Sequence, residues 1–263
     1  MNIAAGAALA AASLAGCGPG GRTGGAQASA ADPAAAERAY RPPPAIEAAM
    51  PLAGGRTLLI GRADPGARVR LATPAGRAVT ALADKGGHWR ILLAPSSAVR
   101  LFGLSMIEGG RAMQAEGYLA VTPRGSAAQL RAGAAARVLA AGPGLRILAA
   151  DFDRKGGTAV SGTAAPGADL SVRVDGAEKG RTRADGQGRF ALALDEPLSL
   201  GDHQLEFAGA GSRAVARIAI SPPAPGAGPF SAALTPSGWR IDWLTPGGGT
   251  QTTLLIGVAE GAR

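Results

Sequence analysis

Cysteine is all but missing from this chain: Cys17 is the only one in 263 residues. A single thiol excludes an intrachain disulfide and any metal cluster built on cysteines. Histidine is almost as scarce, with only His88 and His203, and neither has a partner at metal-ligand spacing. His88 adjoins a turn and His203 falls in a loop before a strand, so both are expected to be surface turn residues. Lysine occurs only at Lys85, Lys155 and Lys179, and the net charge of +8 is carried mostly by arginine. Those arginines are scattered through strands and turns with few aromatics beside them, which argues against nucleic acid as a partner. Aromatics make up 4% of residues, so each folded unit must bury most of the few it has. No interior stretch is apolar enough to cross a bilayer. The chain also lacks a Gly-x-Ser-x-Gly elbow, a phosphate-binding Gly-Lys-Ser/Thr loop and a His-Glu-x-x-His helix. The expectation is a protein without catalysis, metal or cofactor. Asp151 and Asp153 flank Phe152 and could offer hard oxygen ligands to Ca²⁺. Few other acids lie nearby in sequence, and a solvated loop is the expected setting for the pair.

What the chain does have is glycine and proline, 41 and 19 residues, and one phrase that occurs twice. Gly61–Val69 reads GRADPGARV, and 101 residues later Gly162–Leu170 reads GTAAPGADL. The same offset carries Asp84, Gly87 and Trp89 onto Asp185, Gly188 and Phe190, so a whole unit is duplicated. In the second copy Pro166 presets φ for the first central position of a type II turn, and Gly167 supplies the positive φ required at the next. Leu170, Val172 and Val174 then alternate with Ser171 and Arg173, the period of a half-buried strand. Asp175-Gly176 signals a hairpin. Further alternating runs cover Arg189–Leu194, Gln204–Ala208 and Arg213–Ile220. Thr57–Ile60, Ala67–Leu71, Ala78–Ala83 and Trp89–Leu93 take the corresponding places in the first copy.

Each copy therefore reads as short strands with turn signals every 8–12 residues, the signature of a sandwich. A strand, then G-x-A-x-P-G-A, an alternating strand, a D-x-x-G turn and an aromatic resembles the bacterial immunoglobulin-like domains of exported and surface proteins. The resemblance covers about 57–122 and 157–220. It implies an all-β chain with two tandem immunoglobulin-like β-sandwiches, over 56–140 and 145–221, serving as a spacer or interaction module.

The N-terminus indicates where such a module would reside. Ile3–Ala15 is an apolar run of signal-peptide length. Leu14-Ala15-Gly16-Cys17 resembles the lipobox of bacterial lipoproteins, where small residues precede the cut and the cysteine thiol accepts the lipid. Residues 1–17 would then form a lipoprotein signal peptide, although no Lys or Arg precedes the apolar run. Cys17 would be the lipid attachment site and the membrane a partner through that lipid. Gly18 stands where an Asp would resemble an inner-membrane retention signal, which favours the periplasmic face of the outer membrane. Residues 18–55 are rich in Gly, Ala and Pro and read as a disordered tether; about 35 flexible residues span roughly 30–35 Å.

At the other end, 229–260 reads as a C-terminal hairpin, too small to fold alone and expected to pack on one of the sandwiches. Trp239, Ile241 and Trp243 share one face of it. Trp239 and Trp243 could stack on sugar rings, making peptidoglycan an alternative partner to another envelope protein. More often such a stripe simply covers a core, and this chain has few other large residues to do so.

Overall fold

The repeated phrase is where sequence dictates structure most directly. In the computed structural model, which describes residues 41–139, 142–223, 226 and 228–257, the two copies fold their turns alike. Ala67 N–H donates to Asp64 O at 3.0 Å around Pro65 and Gly66, and Ala168 N–H donates to Ala165 O at 3.1 Å around Pro166 and Gly167. Gly66 and Gly167 have φ of 76° and 72°, as the type II position demands. The next turn is closed by an aspartate. Asp84 Oδ1 accepts the Gly86 and His88 N–H groups at 2.8 and 2.9 Å, and Asp185 Oδ1 accepts those of Gln187 and Arg189 at the same distances.

The first glycine of the phrase has a different role. Gly61 pairs with Trp89 across the strands, and Gly162 with Phe190. A Cβ would lie 2.4 Å from the Trp89 ring or 2.5 Å from the Phe190 ring. The ring lies flat over the bare backbone, so the glycine and the aromatic form one packing unit.

The first sandwich sets a three-stranded sheet against a larger one. β1 (Ala45–Leu52), β2 (Arg56–Arg62) and β5 (His88–Leu93) form the small sheet in the order β1-β2-β5. β3 (Arg68–Ala72), β4 (Ala78–Leu82), β6 (Arg100–Glu108), β7 (Arg111–Gln114), β8 (Tyr118–Val121), β9 (Ala127–Leu130) and β10 (Arg137–Val138) form the other. Its order is β10-β9-β8-β6-β3-β4, with β7 on the far end of β6. Leu59, Trp89 and Ile91 from one sheet meet Val69, Leu71, Leu104 and Met106 from the other, all buried.

The second sandwich repeats the plan. β11 (Arg146–Asp153), β12 (Thr158–Thr163) and β15 (Arg189–Ala193) correspond to β1, β2 and β5. β14 (Ala177–Arg183), β13 (Asp169–Val174), β16 (Gly201–Gly209) and β17 (Ser212–Ile220) form the opposite sheet in that order. Phe190 and Phe207 stack between the sheets at 4.8 Å. Three strands facing four, all antiparallel, with the first, second and fifth strands together, is the immunoglobulin-like arrangement. The chain is all-β, and no α-helix occurs among the described residues.

Two boundaries differ from the sequence expectation. The tether expected over 18–55 gives way to structure at β1. Its sequence, AIEAAMPL, is too rich in alanine to display a clear period, yet it is the counterpart of β11 at the same offset, down to a register shift after Ile46 matched by one after Ile147. The expected terminal hairpin is a three-stranded ribbon, β18 (Phe230–Thr235), β19 (Gly238–Leu244) and β20 (Thr250–Ile256). β20 pairs with β11, so the ribbon widens the sheet to β15-β12-β11-β20-β19-β18.

The central strands of that widened sheet, β11 and β20, are buried on both faces. Ala150, Phe152, Leu254 and Ile256 point into the second sandwich. Ala149, Ile241, Trp243 and Leu255 point the other way, against Val99, Leu101, Ala120, Ala128 and Leu130 of the first sandwich. The four sheets thus enclose three cores, and the middle core joins the two sandwiches.

Candidate functional site at the junction of the sandwiches

Trp243 is the centre of the middle core. It is 2% exposed and meets Tyr118 edge-on, with ring centroids 5.7 Å apart at 84°, the favoured geometry for two aromatic quadrupoles. Its indole N–H donates to Thr253 Oγ1 at 3.1 Å. The Thr253 hydroxyl in turn donates to Asp151 Oδ1 at 2.5 Å. A polar chain therefore runs from the apolar centre to a buried carboxylate.

Asp151 grips the first sandwich. Its Oδ2 accepts the Ala136 N–H at 2.6 Å. Gln251 stands beside it: its amide donates to Asp151 Oδ1 at 3.3 Å and to Arg131 O at 3.1 Å, and its Oε1 accepts the Gly133 N–H at 2.9 Å. Ser161 Oγ donates to Ala136 O at 2.5 Å. The loop between β9 and β10 is thereby held by Asp151, Ser161 and Gln251. Full burial pushes the Asp151 carboxyl up to about 7, against the pull of the Ala136, Thr253 and Gln251 hydrogen bonds and of the Arg131 charge.

Beside this network a groove of about 560 Å³ opens between the sandwiches. Arg131 and Arg137 line it from the first sandwich, Arg183 and Arg189 from the second, with Glu47 and Asp185 as the carboxylates. Arg189 holds Asp185 at 2.9 Å, and Glu47 is held by Arg62 at 2.9 Å. Arg137 donates one Nη to Ile46 O, while its buried Nε has no hydrogen-bond partner. Burial, then the charges of Arg189 and Arg131, push the Arg137 guanidinium below the ordinary range of arginine.

The residues singled out by sequence are distributed differently from expectation. Cys17 lies outside the described residues. Trp243 is sealed between the sandwiches, with Trp239 half-buried beside it. The two-tryptophan sugar platform is therefore corrected: the stripe is core. The pairing of β20 with β11 turned that face inward. His88 is an exposed turn residue at the start of β5. His203 is corrected from loop to strand: it lies buried in β16, with Nδ1 2.7 Å from Asp175 Oδ2 and Nε2 2.8 Å from Ser199 O. Burial opposes its charge, but the Asp175 and Ser199 hydrogen bonds raise its pKa overall. Asp151 and Asp153 also part company. Asp151 is buried instead of solvated, whereas Asp153 Oδ1 accepts the Lys155 and Gly157 N–H groups at 2.7 and 3.0 Å in an exposed turn. Among the described residues no group of three or more His, Cys, Asp or Glu side chains could hold a metal ion.

No protein-family model matches the chain, and no curated protein is similar to it in sequence. Solved structures give distant matches. The BSP domain of a biofilm-associated protein is 14% identical with a TM-score of 0.23, over 64% of this chain and 28% of that one. The central fibronectin-III array of RIM-binding protein is 11% identical with a TM-score of 0.24, over 85% and 88%. Invasin, a bacterial integrin-binding protein, is 14% identical with a TM-score of 0.21, over 83% and 48%. This chain thus spans about a quarter of the biofilm protein and about half of invasin. At such TM-scores the likeness transfers no activity, and the fold assignment rests on strand order.

Proposed function

We infer that the chain is an exported, lipid-anchored protein of the bacterial envelope, in which the two joined sandwiches act as a non-catalytic spacer or interaction module. The observation that carries the module is the middle core. Two domains linked only by a flexible tether bury little against each other; here Trp243, Ile241 and Leu255 are shut between the two sandwiches, so a partner would meet one fixed surface built from both. The lipobox resemblance at Leu14–Cys17 supports the anchor, with the Cys17 thiol as acceptor. Two or three acyl chains hold a protein stably on a membrane where a single chain does not. Gly18 supports the periplasmic face of the outer membrane, and another envelope protein is the partner this arrangement suits. Peptidoglycan contact through Trp239 and Trp243 is not retained, because their face is occupied.

Labelling with radioactive palmitate in a bacterial host tests the anchor. Incorporation should require Cys17, vanish in Cys17→Ser, and be accompanied by globomycin-sensitive processing. Label that persisted in Cys17→Ser would overturn the reading. Density fractionation of the labelled membranes should then place the protein with outer-membrane markers.

A further inference from the structure

We propose that the groove between the sandwiches binds an oxyanion ligand, a carboxylate or phosphate group, with Arg137 as its central contact and Arg131 and Arg189 on either side. Three observations converge on this. The groove is lined by four guanidinium groups and two carboxylates, and both carboxylates are already held, Glu47 by Arg62 and Asp185 by Arg189. Among the described residues Arg137 has no carboxylate at ion-pair distance, although Glu47 lies near enough to favour its charge, and its buried Nε has no hydrogen-bond partner. A buried, unmatched donor on a cation costs free energy, and Arg131 and Arg189 add like charge beside it. A planar guanidinium fork matches two oxygens of a carboxylate or phosphate, so an oxyanion in the groove would offset the mutual repulsion of these guanidinium groups.

The duplication supplies the third observation. Arg183 and Arg189 belong to the second copy, and the positions 101 residues earlier hold Leu82 and His88. The turn that carries Arg189 is otherwise the same in both copies, down to the aspartate hydrogen bonds. Backbone geometry therefore does not require arginine at this place. The basic residues occur in the copy whose turn adjoins the junction.

The full chain carrying Cys17→Ser serves for the test, so the outcome is independent of lipid anchoring. Citrate and pyrophosphate are titrated separately at low salt by calorimetry, at matched ionic strength. At least one should bind, with affinity falling about tenfold or more in Arg137→Gln, the scale of one charge-assisted contact. Arg189→Gln, a second variant at the half-buried first residue of β15, should weaken the same ligand. Arg213→Gln, on β17 and outside the groove, should leave affinity unchanged. Tighter citrate binding assigns a carboxylate ligand and tighter pyrophosphate binding a phosphate ligand. Absence of binding by both, or equal losses in Arg137→Gln and Arg213→Gln, would overturn the proposal.

Discussion

Substituting Asp151 by Asn tests whether the junction holds a buried charge at neutral pH. The folded carboxyl titrates at about 7 and the ordinary value is 3.8. Between those values the native protein binds a proton that the unfolded chain has released. Stability must therefore fall as pH rises through this window and level off above it. A displacement of about three units corresponds to about 4 kcal/mol. Asn cannot titrate, and it keeps the shape, though its NH₂ must face either the Ala136 N–H or the Thr253 hydroxyl. The protonated carboxyl already carries a donor at one of those two places, so the variant starts within about 1–3 kcal/mol of the wild type at low pH, and the difference shifts in its favour as pH rises. The assay is urea unfolding of both proteins at intervals from about pH 4.5 to 8, followed by tryptophan fluorescence. The difference between the two stability curves cancels every other titrating group. It should move in favour of the variant by several kcal/mol, on the order of the 4 kcal/mol above. Parallel curves, separated by a constant within about 1 kcal/mol, would refute the burial argument.

Three further outcomes follow from the packing. Trp243→Ala should cost about 3–5 kcal/mol and should broaden or split the unfolding transition as the sandwiches uncouple; a single transition at the wild-type midpoint would contradict the middle core. Gly162→Ala should cost about 3 kcal/mol or more, because the methyl meets the Arg146 carbonyl oxygen at 2.0 Å as well as the Phe190 ring at 2.5 Å, and Phe190→Ala should recover only the part owed to the ring, measured as a double-mutant cycle by chemical denaturation. The His203 ring, followed by NMR, should titrate above 6.5 and drop in Asp175→Asn. Because its folded pKa is raised, its stabilisation is complete below the unfolded value and is lost as pH rises through the folded one; a midpoint unmoved by Asp175→Asn would refute the pairing.

Much of the sandwich plan could be read from turn chemistry and alternation. Pro166-Gly167, Asp175-Gly176 and Asp185 sit where the sequence placed them because their backbone demands are local. β1 was illegible because alanine scarcely distinguishes inside from outside. The junction was illegible for a different reason. Whether Trp243 faces water or protein depends on which strand β20 pairs with, a contact about 100 residues distant in sequence. Asp151 looked like half of an exposed pair, because i and i+2 on a strand share a face but need not share an environment. The groove arginines carry no motif, and only comparison of the two copies, arginine against leucine and histidine, could have drawn attention to them.

The position of β18–β20 after the second sandwich in the chain has a consequence for how the protein is made. Chains emerge N-terminus first, and domains fold as they appear. The first sandwich can close while its outer face, with Leu101 and Leu130, still has nothing to rest on. The strand that covers that face is separated from β9 by the whole second sandwich. Until β19 and β20 arrive, the nascent protein therefore presents an apolar sheet to its surroundings, an opening for chaperones and for a second nascent chain alike. β19 and β20 act as a closing latch, and truncation before Gly238 should shift the protein towards aggregation more than truncation of an equal length from a loop.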